Sequence, residues 1–275
     1  MKYIVFILLG VFQLFAIDNR VGKCTNTPFW DLVDNFGCTK KTLPTDAGAD
    51  IIIGATYSDT NYNTLEKTDT LTTTFQADVY HGDLSAQIAT SYFKSEGSST
   101  DESGWNDTQL GVYVKIYPSS LLTLQPGFGV VLPTYNSGND NGAVDIFGSL
   151  NAQYDLDEHY NIFGGLTYTI VNDKDSRRII RDNNSSAIIS NTPVQYHNTT
   201  AFTAGIGYAT EDNGFINIAY TQSQSIYTGV EAFKTLSLNG MLPLDKHWFL
   251  LGNYRYGLSD STSDNEIAVR IGYYF

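Results

Sequence analysis

From residue 50 to the C-terminus, apolar and polar side chains alternate with a period of two, the pattern of β-strands. Leu71, Thr73, Phe75, Ala77 and Val79 share one face, against Thr72, Thr74, Gln76, Asp78 and Tyr80 on the other. Leu110, Val112, Val114 and Ile116 alternate with Gln109, Gly111, Tyr113, Lys115 and Tyr117. The last run is the clearest: Ile267, Val269, Ile271, Tyr273 and Phe275 face one side, and Glu266, Ala268, Arg270, Gly272 and Tyr274 the other. Twelve such runs are predicted, over about 50–59, 68–80, 83–94, 107–117, 121–133, 144–155, 160–171, 199–209, 215–222, 228–242, 247–257 and 265–275. Most have the roughly 9–11 residues with which a tilted strand crosses a bilayer.

The connections alternate between short turns, such as His81-Gly82 and Pro118-Ser119-Ser120, and longer polar loops, such as 95–106, 134–143 and 172–198. That asymmetry is the one found in bacterial outer-membrane barrels, with short periplasmic turns and longer outer loops. An even strand number places both chain ends on the periplasmic side. The two phases differ in chemistry. One is almost free of charge, with Lys234 the main exception, and carries Tyr57, Tyr92, Tyr154, Tyr160, Tyr168, Tyr208 and Tyr254 near strand ends, where an aromatic girdle belongs. The other holds Gln76, Asp78, Gln87, Lys115, Gln125, Asp145, Asn151, Asn239, Asn253, Arg255, Glu266 and Arg270. Lipid cannot hydrate a charge, so this phase must face inward. The expected fold class is all-β: a twelve-stranded antiparallel transmembrane β-barrel over 50–275. A soluble sandwich also alternates, but it does not explain the apolar phase and the turn asymmetry together.

Residues 1–16 read as a secretory signal peptide: Lys2, then an apolar stretch from Tyr3, then Ala16. Residues 17–49 do not alternate and read as a periplasmic segment. Thr27-Pro28 caps a short helix carrying Phe29, Trp30, Leu32, Val33 and Phe36, ended by Gly37. Cys24 and Cys38 bracket it, and in an oxidising compartment a disulfide is the expected pairing. This segment either plugs the barrel mouth or packs beneath it.

The net charge is −13, with 29 acids against 16 bases, which leaves no basic stripe for nucleic acid. With two Cys and four His at no zinc-type spacing, neither a metal nor another cofactor is expected. Catalysis is not expected either. His81, His159 and His247 fall in turns, and His197 ends a long loop, where only a chance pairing with Asp173, Asp175 or Asp182 imitates a protease site. The 172–198 loop concentrates Arg177, Arg178 and Arg181, placed to enter the lumen, to grip lipopolysaccharide phosphates, or simply to solvate a mobile loop.

The lumen-lining candidates are Asp78, Tyr80, Tyr113, Lys115, Tyr117, Asp145, Arg255, Glu266 and Arg270. Mixed charges inside either pair with one another or line opposite walls. The stretch Asp107-Thr108-Gln109-Leu110-Gly111, then Gly127-Phe128-Gly129-Val130-Val131-Leu132-Pro133-Thr134, a Gly/Asn loop and Asp145 resembles the outer-membrane family named for the meta-pathway of phenol degradation, over residues 107–170. The terminal Phe275 with its alternating predecessors resembles the C-terminal signature read by the barrel assembly machinery. The family resemblance implies a transporter. The expectation is a monomeric outer-membrane channel, in contact with lipid and lipopolysaccharide, for passive uptake of small solutes, hydrophobic or aromatic ones favoured. The alternative is a structural or surface-interaction barrel with a filled lumen, with an outer-membrane hydrolase third.

Overall fold

The computed structural model describes residues 47–60, 68–97, 101–134, 143–172, 196–211, 214–226 and 229–275, and the backbone of 177–181 and 187–193. The expected signal peptide, helix and Cys24–Cys38 pair lie outside the described residues. In chain order the strands are β1 (Ala47–Thr60), β2 (Thr68–His81), β3 (Leu84–Gly97), β4 (Asp101–Trp105), β5 (Thr108–Val114), β6 (Leu122–Leu132), β7 (Asp145–Asp155), β8 (Tyr160–Ile170), β9 (Arg177–Arg181), β10 (Ala187–Pro193), β11 (Thr199–Ala209), β12 (Phe215–Ser223), β13 (Phe233–Pro243), β14 (Trp248–Gly257) and β15 (Asn265–Tyr274).

Thirteen of these form one antiparallel sheet, which the β2–β3 and β1–β15 pairings close on itself. Tyr92 pairs with Trp105 while Ala89 pairs with Gln109, so β4 and β5 are one strand interrupted by a bulge with one extra residue near Asn106-Asp107. The wall therefore has twelve strands among the described residues, as the alternation predicts. Closure removes every edge, so each backbone group within the wall finds its partner in it, the condition for standing in lipid. Such strands tilt by roughly 40° to the barrel axis.

Three details depart from the sequence reading. The barrel begins at Ala47, three residues before the expected boundary. The region read as a loop over 95–106 is largely strand, because β3 continues to Gly97 and pairs with β4. The tenth strand of the wall starts at Phe233 rather than near 228, because Gly229 has φ +82°, a left-handed conformation that ends extended pairing. The long 172–198 connection contributes the β9–β10 hairpin, paired outside the wall.

Exposure follows the two phases. Ile51, Ile53, Leu71, Phe75, Val79, Ile88, Leu110, Val112, Phe128, Leu150, Leu166, Ile206, Ile218, Leu238, Val269 and Ile271 are all exposed. A water-soluble protein does not present apolar side chains on every strand; a barrel in hydrocarbon must. Tyrosine and tryptophan flank this band: Tyr154, Tyr160, Tyr208 and Trp248 at the turn end, and Tyr57, Tyr92, Trp105, Tyr168 and Tyr254 at the loop end. Their hydroxyls reach polar partners, with Tyr57 donating to Asp69 at 2.9 Å and Tyr254 to Asn265 at 2.8 Å. Lys234, the exception in the apolar phase, sits at the loop end of β13 and pairs with Glu231 at 2.7 Å, where β13 leaves the apolar band.

Two turns at the opposite end are built alike. Leu156-Asp157-Glu158-His159-Tyr160 joins β7 to β8, and Leu244-Asp245-Lys246-His247-Trp248 joins β13 to β14. Asp157 Oδ1 accepts from the amides of His159 and Tyr160, both at 2.7 Å; Asp245 Oδ1 accepts from those of His247 and Trp248 at 2.7 and 2.8 Å. Each histidine then reaches the next strand. His159 Nδ1–H donates to the Ala209 carbonyl at 3.1 Å, and His247 Nδ1–H to the Tyr274 carbonyl at 3.0 Å. The imidazoles stack on Tyr208 and Tyr273.

Candidate functional site

A wall one strand thick has two sides, so a strand side chain that is buried here faces the interior. The candidate site is that interior. Cross-strand register arranges its polar side chains in a belt. Asp50 on β1 lies directly opposite Asp78 on β2, and Asp78 directly opposite Gln87 on β3. Gln125 on β6 faces Asn151 on β7. Asn217, Asn239 and Asn253 align across β12, β13 and β14. All of these are buried, as are Asn161 on β8 and Arg270 on β15.

The belt is bonded unevenly. On one side the asparagines form a ladder: Asn239 Nδ2 donates to Asn217 Oδ1 at 2.7 Å, and Asn253 donates to Asn239. Gln76 Nε2 donates to Asp78 at 2.8 Å. Elsewhere in the belt, both polar atoms of Asn151 and Asn161 and the Gln87 and Gln125 amide nitrogens have no hydrogen-bond partner among the described residues, whereas the Asp50 and Asp78 carboxyls share a hydrogen bond. Beside the belt, Phe215, Met241, Phe249, Leu251 and Tyr274 on its turn side and Ile52 on β1 form an apolar cluster. Toward the loop end the inward positions become small and hydroxylated, with Thr56, Thr72, Ser91, Thr221 and Thr235 only half-buried. The interior is thus more open toward the loops than at the belt.

The large rings do not stand in the bore. A Cβ on Gly111 or Gly127 would collide with the ring of Tyr113, so that ring lies across the two glycines of neighbouring strands. Phe249 covers Gly272 in the same way. Glycine is required at these places because only a bare backbone admits a ring flat against the wall.

The sequence-derived positions distribute as follows. Asp78, Tyr80, Tyr113 and Arg270 are buried inside the barrel near the belt. Tyr80 covers Gly48, and the Arg270 stem crosses Gly54. Arg255 and Glu266 lie toward the loop end and form a partly buried ion pair at 2.7 Å, so these two charges neutralise each other. Asp145 stands at the loop end of β7 and accepts from the Asn172 amide at 2.8 Å, fastening the chain beyond β8. Lys115 and Tyr117 follow β5 at the turn end and are half-buried. The backbone of Arg177–Arg181 is β9, and its side chains are outside the described residues. Phe275 is exposed and packs edge-on against Tyr273 at 5.0 Å. Asp50, Asn161 and Asn217 were not singled out from the sequence, although each falls in the inward phase; their signal was an amide or carboxylate alternating with apolar neighbours. No cluster of three or more metal-ligating side chains occurs among the described residues.

No family model matches the chain, and no curated protein matches it by sequence. Solved structures match its fold. An outer membrane channel from Pseudomonas putida F1 superposes with a TM-score of 0.66 at 10% identity, over 84% of this chain and 96% of that one. The NanC porin superposes with a TM-score of 0.50 at 13% identity, over 82% of this chain and 98% of that one. At these identities the likeness is one of architecture: this chain has the fold of outer-membrane channels.

Proposed function

We propose that this protein is an outer-membrane channel for the passive passage of small solutes. The observation that carries the reading is the division of the wall: an uncharged apolar exterior between two aromatic girdles, and an interior lined by amides, hydroxyls and a few charges. The interior combines an apolar cluster on one wall with hydrogen-bonding groups on the rest, which suits solutes having both an apolar or aromatic face and polar groups. Membership of the phenol-degradation meta-pathway family, a monomeric state, contact with lipopolysaccharide and the reading of Phe275 by the assembly machinery are parts of the same proposal. The nearest alternative is a structural barrel with a closed lumen, favoured by the burial of the belt.

Planar-bilayer recording separates the two: the folded full-length protein opens discrete conductance steps if it is a channel, and a silent barrel supports the structural reading. Ion selectivity tests the assignment of the interior. Arg255→Ala leaves Glu266 unneutralised and shifts the reversal potential toward cations. Arg255→Ala/Glu266→Gln returns it close to the parent value. Arg270→Ala, which leaves Asp50 and Asp78 in the belt, also shifts it toward cations. A reversal potential indifferent to all three places these residues outside the conduction path.

A further inference from the structure

We propose that the unpaired amides of β6, β7 and β8 form a retention site for neutral polyhydroxylated solutes, sugars and polyols, at the level of the belt; the proposal rests on the channel reading above. Gln125 and Asn151 face each other on β6 and β7, 6% and 1% exposed, and Asn161 on β8 is 1% exposed. The Gln125 amide nitrogen and both polar atoms of Asn151 and Asn161 have no hydrogen-bond partner among the described residues. Buried polar atoms are normally paired, and a wall that needs amides only for its own cohesion pairs them internally. The Asn217–Asn239–Asn253 ladder, two strands further along the wall, does so at every polar atom except Asn253 Oδ1. The unpaired members instead present donors and acceptors that nothing within the wall takes up.

The chemistry of these groups selects the ligand. A planar amide or carboxylate offers two polar atoms side by side, matching two hydroxyls on adjacent carbons, and an amide can donate to one while accepting from the other. A purely apolar solute entering this level leaves every one of these atoms unpaired, which is costly in a buried site. An anion meets Asp78, and a cation meets Arg270. A neutral hydroxylated solute avoids both penalties. Its C–H face finds the ring of Tyr113, held flat along the wall between β5 and β6.

The test uses the full-length protein folded in detergent micelles, titrated calorimetrically with glucose and sucrose, and with benzyl alcohol as an apolar comparison. The expected result is saturable glucose binding that is weakened at least tenfold by Asn151→Leu and by Asn161→Leu, with benzyl alcohol unaffected by either. Should one variant fail to fold, Gln125→Leu on a third strand replaces it. The wild-type contrast between glucose and benzyl alcohol decides by itself if all three fail. Absence of saturable glucose binding, or glucose binding untouched in folded variants, overturns the site. Conductance of the same preparations judges the channel separately. Conductance without glucose binding removes the site and leaves the channel, whereas glucose binding in a silent barrel supports the site and removes the passage.

Discussion

A ring as large as that of Tyr113 would obstruct the lumen if it stood off the wall. The positions it covers decide that it does not: Gly111 on its own strand and Gly127 on β6 leave room for the ring to lie down. In the sequence Tyr113 falls among the lumen-lining candidates, and Phe147 shares its inward phase. The structure assigns them first to the wall, with Phe147 over Gly129 as Tyr113 lies over Gly127. Each ring lies over the glycine directly opposite it on the neighbouring strand, so the arrangement depends on register, and residue type alone did not show it. Gly127→Val places a branched side chain where the ring sits and costs about 1–3 kcal/mol, the usual range for overpacking a filled site. Urea unfolding in lipid vesicles measures it. Tyr113→Ala in the Gly127→Val background recovers part of the loss, because the collision is then gone. Equal stability of Gly127→Val and the parent would show that the ring has another place to go.

At the scale of elements, the strands were legible because lipid on one side and polar groups on the other impose a strict period of two on every strand. Loop boundaries were less legible. Beyond the bilayer that constraint ends, and β3 and β4 extend past it through polar residues that carry no alternation signal. Register was not legible at all, since it accumulates from every connection. The Asp50–Asp78 opposition and the asparagine ladder therefore emerged only from the paired strands. The paired Leu-Asp-x-His-aromatic turns were present as a repeat at 156–160 and 244–248, yet their role is long-range: each histidine fastens the start of one hairpin to the end of another strand. Both turn carboxylates lie outside the membrane band and depend on ionisation. Amides of Tyr160 and His159 hold the Asp157 carboxyl below the usual range, and amides of His247 and Trp248 do the same for Asp245. A carboxyl with a depressed value in the folded state stabilises above its unfolded value of about 3.9, and that contribution disappears as pH falls through the lower folded value. The turn therefore stays closed through mildly acidic pH and loosens only in stronger acid. Trp248 emission, titrated downward from neutral pH, should show a transition below about pH 3.9. Asp245→Asn should abolish that transition. A transition at or above the ordinary carboxyl value would contradict the turn geometry.

For the whole molecule the deciding quantity is depth in the bilayer. The exterior carries no charge between its girdles at the positions named above, and basic side chains of the outward phase appear at the loop end, Lys94 beside Glu96 on β3 and Lys234 beside Glu231 where β13 leaves the band. A soluble barrel would have no reason to grade its outer surface along the axis. A barrel in lipid must, because hydration returns only toward the headgroups. Leu150, halfway along β7 and 50% exposed, lies midway between the girdles, while Leu84, also 50% exposed and in the outward phase, begins β3 at the turn end. Arginine at the bilayer midplane of such a barrel costs about 2–4 kcal/mol, and near the interface about 0–1 kcal/mol. Leu150→Arg and Leu84→Arg should therefore differ by at least about 1 kcal/mol in vesicle unfolding although both positions are equally exposed. In a detergent that hydrates the barrel surface more evenly, the gap should narrow. Equal costs in vesicles would mean that the apolar band faces something other than a bilayer, and the channel reading, which needs the barrel to span one, would fall with it.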